Sequence, residues 1–136
     1  MAAQPRVLLT TPWPMRAVEA MREHFDVDIH DGPLPMPKAT WLEALQTYDA
    51  IAPTVIDQIP VEAYRTAENR TKMFGNFGVG YNHIDMTAAN AGGLLVSNTP
   101  GVLTDATADQ AMGLLLAVAR GISRGSDTTV EADETL

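Results

Sequence analysis

The sequence predicts an α/β fold, an open and doubly wound five-stranded parallel sheet followed by one long apolar helix. Three observations point there. Short β-rich runs begin near positions 6, 26, 49, 72 and 94, each gap between them holds a helical pattern, and an apolar run with no polar face follows the fifth. Starts spaced roughly 20 to 23 residues apart, with helices between, are the mark of βαβ units and a parallel sheet.

Strands are expected at 6–10, 26–30, 49–53, 72–77 and 94–98. The first helix opens after Thr11-Pro12-Trp13-Pro14, because a proline at a helix start loses an N–H that has no partner there anyway. Met15, Val18, Met21 and Phe25 then fall at intervals of three and four and should face inward, with Arg16, Glu19, Arg22 and Glu23 opposite. The proline-rich stretch 31–37 must be a loop. A short helix over 40–45 turns Trp41, Leu42 and Leu45 inward. Pro60 begins another, carrying Val61 and Tyr64. Asp85 reads as an N-cap for a helix over 86–91, which ends at Gly92-Gly93. Five such units most often take the flavodoxin-like strand order, in which ligands sit beyond the carboxyl ends of the strands. The loops that matter are therefore 10–14, 53–57, 78–82 and 98–104.

After the fifth strand, Asn98-Thr99-Pro100-Gly101 is a sharp turn. Thr104-Asp105-Ala106-Thr107 starts a long helix with its own capping groups. Its middle, residues 111–119, is apolar all round, and such a helix expects to be buried all round. Burial of Met112, Leu114, Leu115, Leu116 and Val118 stands to gain about 1.5–3 kcal/mol each. One sheet covers only one side, so the helix calls for a second domain or a partner subunit. The expected organisation is a domain over 1–99, a hinge and helix over 100–122, and a polar tail over 123–136.

Composition narrows the function. The net charge of −8 repels phosphate backbones and anionic lipid heads, so neither nucleic acid nor a membrane surface is an expected partner. It leaves room for a small anion held by local backbone N–H groups. No cysteine is present, which removes disulfides and thiolate chemistry. No apolar run approaches the roughly 20 residues a membrane helix needs, and the N-terminus lacks a signal h-region, so a cytoplasmic protein is expected. His24, His30 and His83 lack the company of a metal site. His83 reads as a residue hydrogen-bonded locally where the helix begins. Asp105 and Asp109 suit the positive end of a helix dipole better than catalysis. Gly78-x-Gly80-x-x-His83 lacks the third glycine of a dinucleotide loop and follows the fourth strand rather than the first.

Two stretches carry a resemblance: Asn76-Phe77-Gly78-Val79-Gly80-Tyr81-Asn82-His83-Ile84-Asp85, and Ser97-Asn98-Thr99-Pro100-Gly101-Val102-Leu103-Thr104-Asp105-Ala106-Thr107-Ala108-Asp109. Together they resemble the signature of D-isomer-specific 2-hydroxyacid dehydrogenases, and within that family the chain is most similar to glyoxylate and hydroxypyruvate reductases. The likeness is strong over 73–120 and weaker over 6–70. It implies a substrate domain and an NAD(P)-binding domain with the 2-keto or 2-hydroxy acid between them. Val79 and Gly80 resemble the pair whose backbone N–H groups receive the substrate carboxylate. Pro53 and Thr54, with Val55, resemble a loop lining the same site, and Thr104 resembles a residue near the nicotinamide. The resemblance makes the helix that Thr104 begins an interdomain helix, and its apolar faces over 105–120 lead to the expectation of a homodimer or higher assembly built on it.

The family's catalytic Arg, its His–Glu pair and its dinucleotide loop match no position here. The chain is therefore expected to stop short of the nucleotide domain, to bind NAD or NADP poorly and to turn nothing over alone. Two other classes compete. A receiver-type signalling domain would need acidic residues after the first strand and a Lys after the fifth, where Leu8-Leu9-Thr10-Thr11 and Ser97-Asn98-Thr99 stand instead. A non-catalytic flavodoxin-like module dimerising through 105–120 remains the alternative.

Overall fold

A computed structural model describes residues 4–122; the tail expected at 123–136, with Glu131, Asp133 and Glu134, lies outside the described residues. The chain divides into two compact units, Met1–Pro100 and Gly101–Leu136.

In the first unit five strands form one all-parallel sheet: β1 Arg6–Leu9, β2 Asp26–Ile29, β3 Ala50–Ala52, β4 Met73–Gly75 and β5 Leu95–Ser97. Their order, β2-β1-β3-β4-β5, is the expected flavodoxin-like one. Each strand is shorter than the sequence suggests by one to three residues, and the surplus carboxyl-end residues become loop.

Alternation along the strands sorts the core into two faces. Val7, Leu9, Val27 and Ala52 point to one side, where Val18 of helix α1 (Met15–Arg22) covers them. Leu8, Ile51 and Phe74 point to the other, under helix α2 (Lys38–Thr47), a 3-10 turn over Val61–Tyr64 and helix α3 (Met86–Gly92). The fully buried Trp41 meets Phe74 edge-on, with ring centroids 5.9 Å apart. The first face is only part covered, since the residues clustered with Val18 lie on β1, β2 and β3. Met73 and Leu95, opposite each other in register on β4 and β5, keep exposed apolar side chains on that face.

Several inward assignments are corrected. Of the four residues expected under α1, Val18 is buried and Met21 is partly buried against the same cluster, while Met15, the helix's first residue, and Phe25, beyond its end at Arg22, are exposed. Helix α2 begins two residues earlier than the sequence suggests and runs to Thr47. Its buried stripe is Trp41, Ala44 and Leu45, and Leu42 turns outward. Val61 is likewise exposed, while Tyr64 beside it is buried. Helix α3 follows expectation closely. Asp85 caps it by accepting from the Ala88 N–H, and Gly93 ends it in the left-handed region at φ 72°. Gly92 is required for another reason: a Cβ there would lie 1.9 Å from the Tyr64 carbonyl oxygen.

The described part of the second unit is helix α4 (Thr104–Ala119) with a short extension. Its N-cap is Leu103 and no side chain caps its first turn, contrary to the capping expected of Thr104 and its neighbours. Asp105 sits in that first turn, where the helix dipole favours a negative charge. Met112, Leu114, Leu115, Leu116 and Val118 are each more than half exposed. Among the described residues no helix is long and apolar enough to cross a membrane.

Candidate functional site

The carboxyl edge of the sheet gathers three loops of the first unit: the one after β1 (10–14), the one after β3 (53–57) and the turn after β4 (76–82). In this all-parallel sheet the order in which strands are added switches sides between β1 and β3, the place where such folds open a crevice.

The turn after β4 is held by its carbonyls. Asn76, which is 2% exposed, extends the strand pairing by donating its N–H to the Ser97 carbonyl at 2.9 Å. Its side-chain Nδ2 donates to the carbonyls of Gly78 at 3.1 Å and Gly80 at 3.0 Å. Asn98 Nδ2 donates to the Val79 carbonyl at 2.9 Å, and the Thr99 N–H donates to Gly78 O at 3.0 Å. Among the described residues the N–H groups of Val79 and Gly80 have no partner. These donors are not freed by a left-handed nest, since neither Gly78 nor Gly80 has positive φ. Their glycines matter by leaving the surface bare: a Cβ at Gly80 would meet nothing within 4 Å.

Of the five residues singled out from the sequence, the structure brings four to this edge. Val79 and Gly80 are exposed on the turn. Pro53 and Thr54 are buried and act as scaffold: the Pro53 carbonyl accepts from the Phe77 N–H at 2.9 Å, and Thr54 bonds to Asp57. The surface of that loop belongs to Val55, 62% exposed, whose Cγ1 lies 3.6 Å from where a Gly78 Cβ would stand. Trp13, from the loop after β1, stacks on Phe77 of the turn after β4, with ring centroids 4.4 Å apart. Thr104, the fifth, is the exposed first residue of α4 in the other unit.

Asp57 fixes the β3 loop. It is 3% exposed, and its Oδ2 accepts from Thr10 Oγ1 at 2.6 Å, the Thr54 N–H at 2.7 Å and Thr54 Oγ1 at 3.3 Å. Beside it a cavity of about 650 Å³ is lined by Met36, Lys38, Asp57, Ile59, Val61 and His83. The local hydrogen bond expected of His83 is not found at Nε2, which is buried without a partner. Burial holds the imidazole below its ordinary pKa, and the nearby Asp57 opposes that shift in part.

What this edge can do is bind an acid through neutral donors. The loops at 10–14, 53–57 and 76–82 contain no Lys or Arg, so an anion here meets backbone N–H groups and apolar walls rather than a counter-charge. The glycine-bearing turn 78–83 leads to α3, whose amino end already holds the Asp85 carboxylate, the place a pyrophosphate takes in a dinucleotide loop. Sequence reading missed Asn76 and Asn98 as the tethers, although both stood inside the quoted motifs. Trp13 and Asp57 had no signal beyond lying in the right loops.

The family model described as D-isomer specific 2-hydroxyacid dehydrogenase, catalytic domain, matches residues 7–134. A glyoxylate reductase of Thermococcus litoralis is 37% identical over 130 residues, covering 96% of this chain and 37% of that protein. A glyoxylate reductase of Korarchaeum cryptofilum is 36% identical, with the same coverage. The chain thus spans little more than a third of the curated relatives it matches. Among solved structures, the TT0316 protein of Thermus thermophilus superposes with a TM-score of 0.78 at 37% identity, covering 96% of this chain and 42% of that one. The NADPH-dependent glyoxylate/hydroxypyruvate reductase of Sinorhizobium meliloti, solved with NADP and malonate, gives 0.62 at 31% identity, covering 85% and 34%.

Proposed function

The chain belongs to the D-isomer specific 2-hydroxyacid dehydrogenase family, and on that premise we propose that it is the substrate-side part of an oxidoreductase reducing a 2-keto acid to the D-2-hydroxy acid. Glyoxylate and hydroxypyruvate are the proposed substrates. The observation that carries the reading is the pair of unpartnered N–H groups at Val79 and Gly80 on an edge without cations. The substrate carboxylate accepts from both. The donors are already oriented, so binding needs little reorganisation, and the acid's carbonyl carbon is set down in one place.

Val55 and the Trp13–Phe77 stack form the apolar wall that excludes water from one side of the bound acid. The cofactor, NAD or NADP, supplies the hydride. In this reading the cofactor's binding and the proton transfer belong to a nucleotide-binding domain working beside this one, with Thr104 near the junction; the Asp85 carboxylate at the amino end of α3 supports it. The proposed domain plan is 1–99 for the substrate domain, 100–122 for hinge and interdomain helix, and 123–136 for a polar tail. The exposed apolar side chains of α4 support its role as interdomain and dimer contact over 105–120, and the open face at Met73 and Leu95 is a further surface for added polypeptide.

The test is spectrophotometric. The intact protein that carries this chain should consume NADH or NADPH when given glyoxylate or hydroxypyruvate, while residues 1–136 alone should consume neither. Absence of turnover by the intact protein across small 2-keto acids, or turnover by 1–136 alone, refutes the reading. A non-catalytic module dimerising through α4 is the second reading, favoured by the same exposed leucines, and it expects no turnover in either case.

A further inference from the structure

We propose that Asn76 is the positioning residue of the acid site, with Asn98 as its partner, and that together they set which way the binding N–H groups point. The inference rests on the carboxylate reading above and deepens it.

The argument begins with the peptide plane. A trans peptide points the carbonyl of one residue and the N–H of the next in opposite directions. Whatever fixes the Gly78 carbonyl therefore fixes the Val79 N–H. Whatever fixes the Val79 carbonyl fixes the Gly80 N–H, and the Gly80 carbonyl governs the N–H of Tyr81. Asn76 Nδ2 holds the first and third of these carbonyls, at 3.1 and 3.0 Å, and Asn98 Nδ2 holds the second at 2.9 Å. Three consecutive carbonyls are thus drawn toward protein donors, and the N–H groups on their far sides are left for a ligand.

Two more consequences follow. Each donor bond polarises its peptide and strengthens the N–H opposite it. Holding the carbonyl oxygens toward the protein also removes three partial negative charges from the face an acid approaches. Asparagine suits position 76 because one amide nitrogen carries two hydrogens, enough for both carbonyls. Its burial at 2% exposure keeps water from competing for either bond. The Thr99 N–H shares the Gly78 carbonyl at 3.0 Å, whereas among the described residues the Val79 and Gly80 carbonyls are held by these side-chain tethers alone.

The experiment uses the 136-residue chain labelled with ¹⁵N and titrated with oxamate, an unreactive 2-keto acid analogue. In the wild type the Val79 and Gly80 amide resonances should move together and saturate. Asn76→Asp keeps the shape of the side chain but replaces both donor hydrogens with an oxygen facing two carbonyls, and should weaken binding at least tenfold. Asn98→Ala, a change at a half-exposed residue, should diminish the Gly80 response more than the Val79 response. A merely structural role would not produce that residue-by-residue split. If Asn76→Asp fails to fold, the split in Asn98→Ala decides alone. Unchanged affinity and an unchanged split in the folded variants overturn the positioning role while leaving the carboxylate reading intact. Oxamate that moves neither amide in the wild type overturns that reading itself, and this inference with it.

Discussion

Thr10 Oγ1 donates to Asp57 Oδ2 at 2.6 Å, joining the loop after β1 to the loop after β3 across the point where the strand order switches sides. The carboxylate is buried and receives three donors on one oxygen, so removing it leaves the Thr54 N–H without a partner in a dry place and the Thr10 hydroxyl with only the Ala52 carbonyl at 3.2 Å. Asp57→Ala should lower stability by about 2–3 kcal/mol and Thr10→Val by about 1 kcal/mol. Urea denaturation of both and of the double variant should show a coupling of about 1 kcal/mol, the signature of direct contact. Additive losses would mean that the bond contributes nothing to holding the loops together.

Two glycines should behave in opposite ways. Gly80 has open space where a Cβ would go and lacks positive φ, so Gly80→Ala should change stability by less than about 0.5 kcal/mol. Gly92→Ala forces a methyl against the Tyr64 carbonyl and should cost about 1–3 kcal/mol or more. Denaturation midpoints read both. A costly Gly80→Ala would show that the turn is packed against something it should be free of.

His83 makes stability depend on pH in a known direction. Burial lowers its pKa in the folded chain, so the unfolded chain binds the proton more readily. The stability tied to the neutral ring is complete above the ordinary value of about 6.5 and is lost as pH falls through the lowered folded value. His83→Gln should flatten the acid side of the stability curve in that window, and ring resonances of the wild type should titrate below 6.5. A ring titrating above that value would place His83 in a wetter or more acidic setting.

Helix α4 leaves its large apolar side chains outside. Light scattering should give a mass above that of one chain, rising with concentration, and Leu115→Glu should return it to that of a monomer while leaving the β-sheet signal unchanged. A wild type monomeric at all concentrations contradicts a dimer contact there.

The strand positions were legible because period-2 alternation and period-3.6 helices succeed each other at regular distance, and Asp85 with Gly93 marked α3 to within a residue. Burial was less legible. Met15 and Phe25 fit the helical period but fall at or beyond the ends of a helix only long enough to bury Val18 and part of Met21. Leu42 lies one residue off the stripe that Trp41, Ala44 and Leu45 define. At the proposed site the motif points to Val79 and Gly80, which lie exposed on the turn; Pro53 and Thr54, named beside them, are buried, and Val55 is exposed. Nothing local distinguishes a loop residue that faces a ligand from the neighbour that supports it. Asn76 and Asn98 escaped notice because their work is done across the fold, through carbonyls 2 to 19 residues away in sequence.

The most direct measurement compares pyruvate with its methyl ester as ligands for this chain, following each backbone amide. Charge on the acid group is the only large difference between the two. Pyruvate should shift Val79 and Gly80 while the ester leaves them where they were. Equal shifts from both compounds, or shifts confined to residues elsewhere, would contradict a carboxylate held on those two peptides.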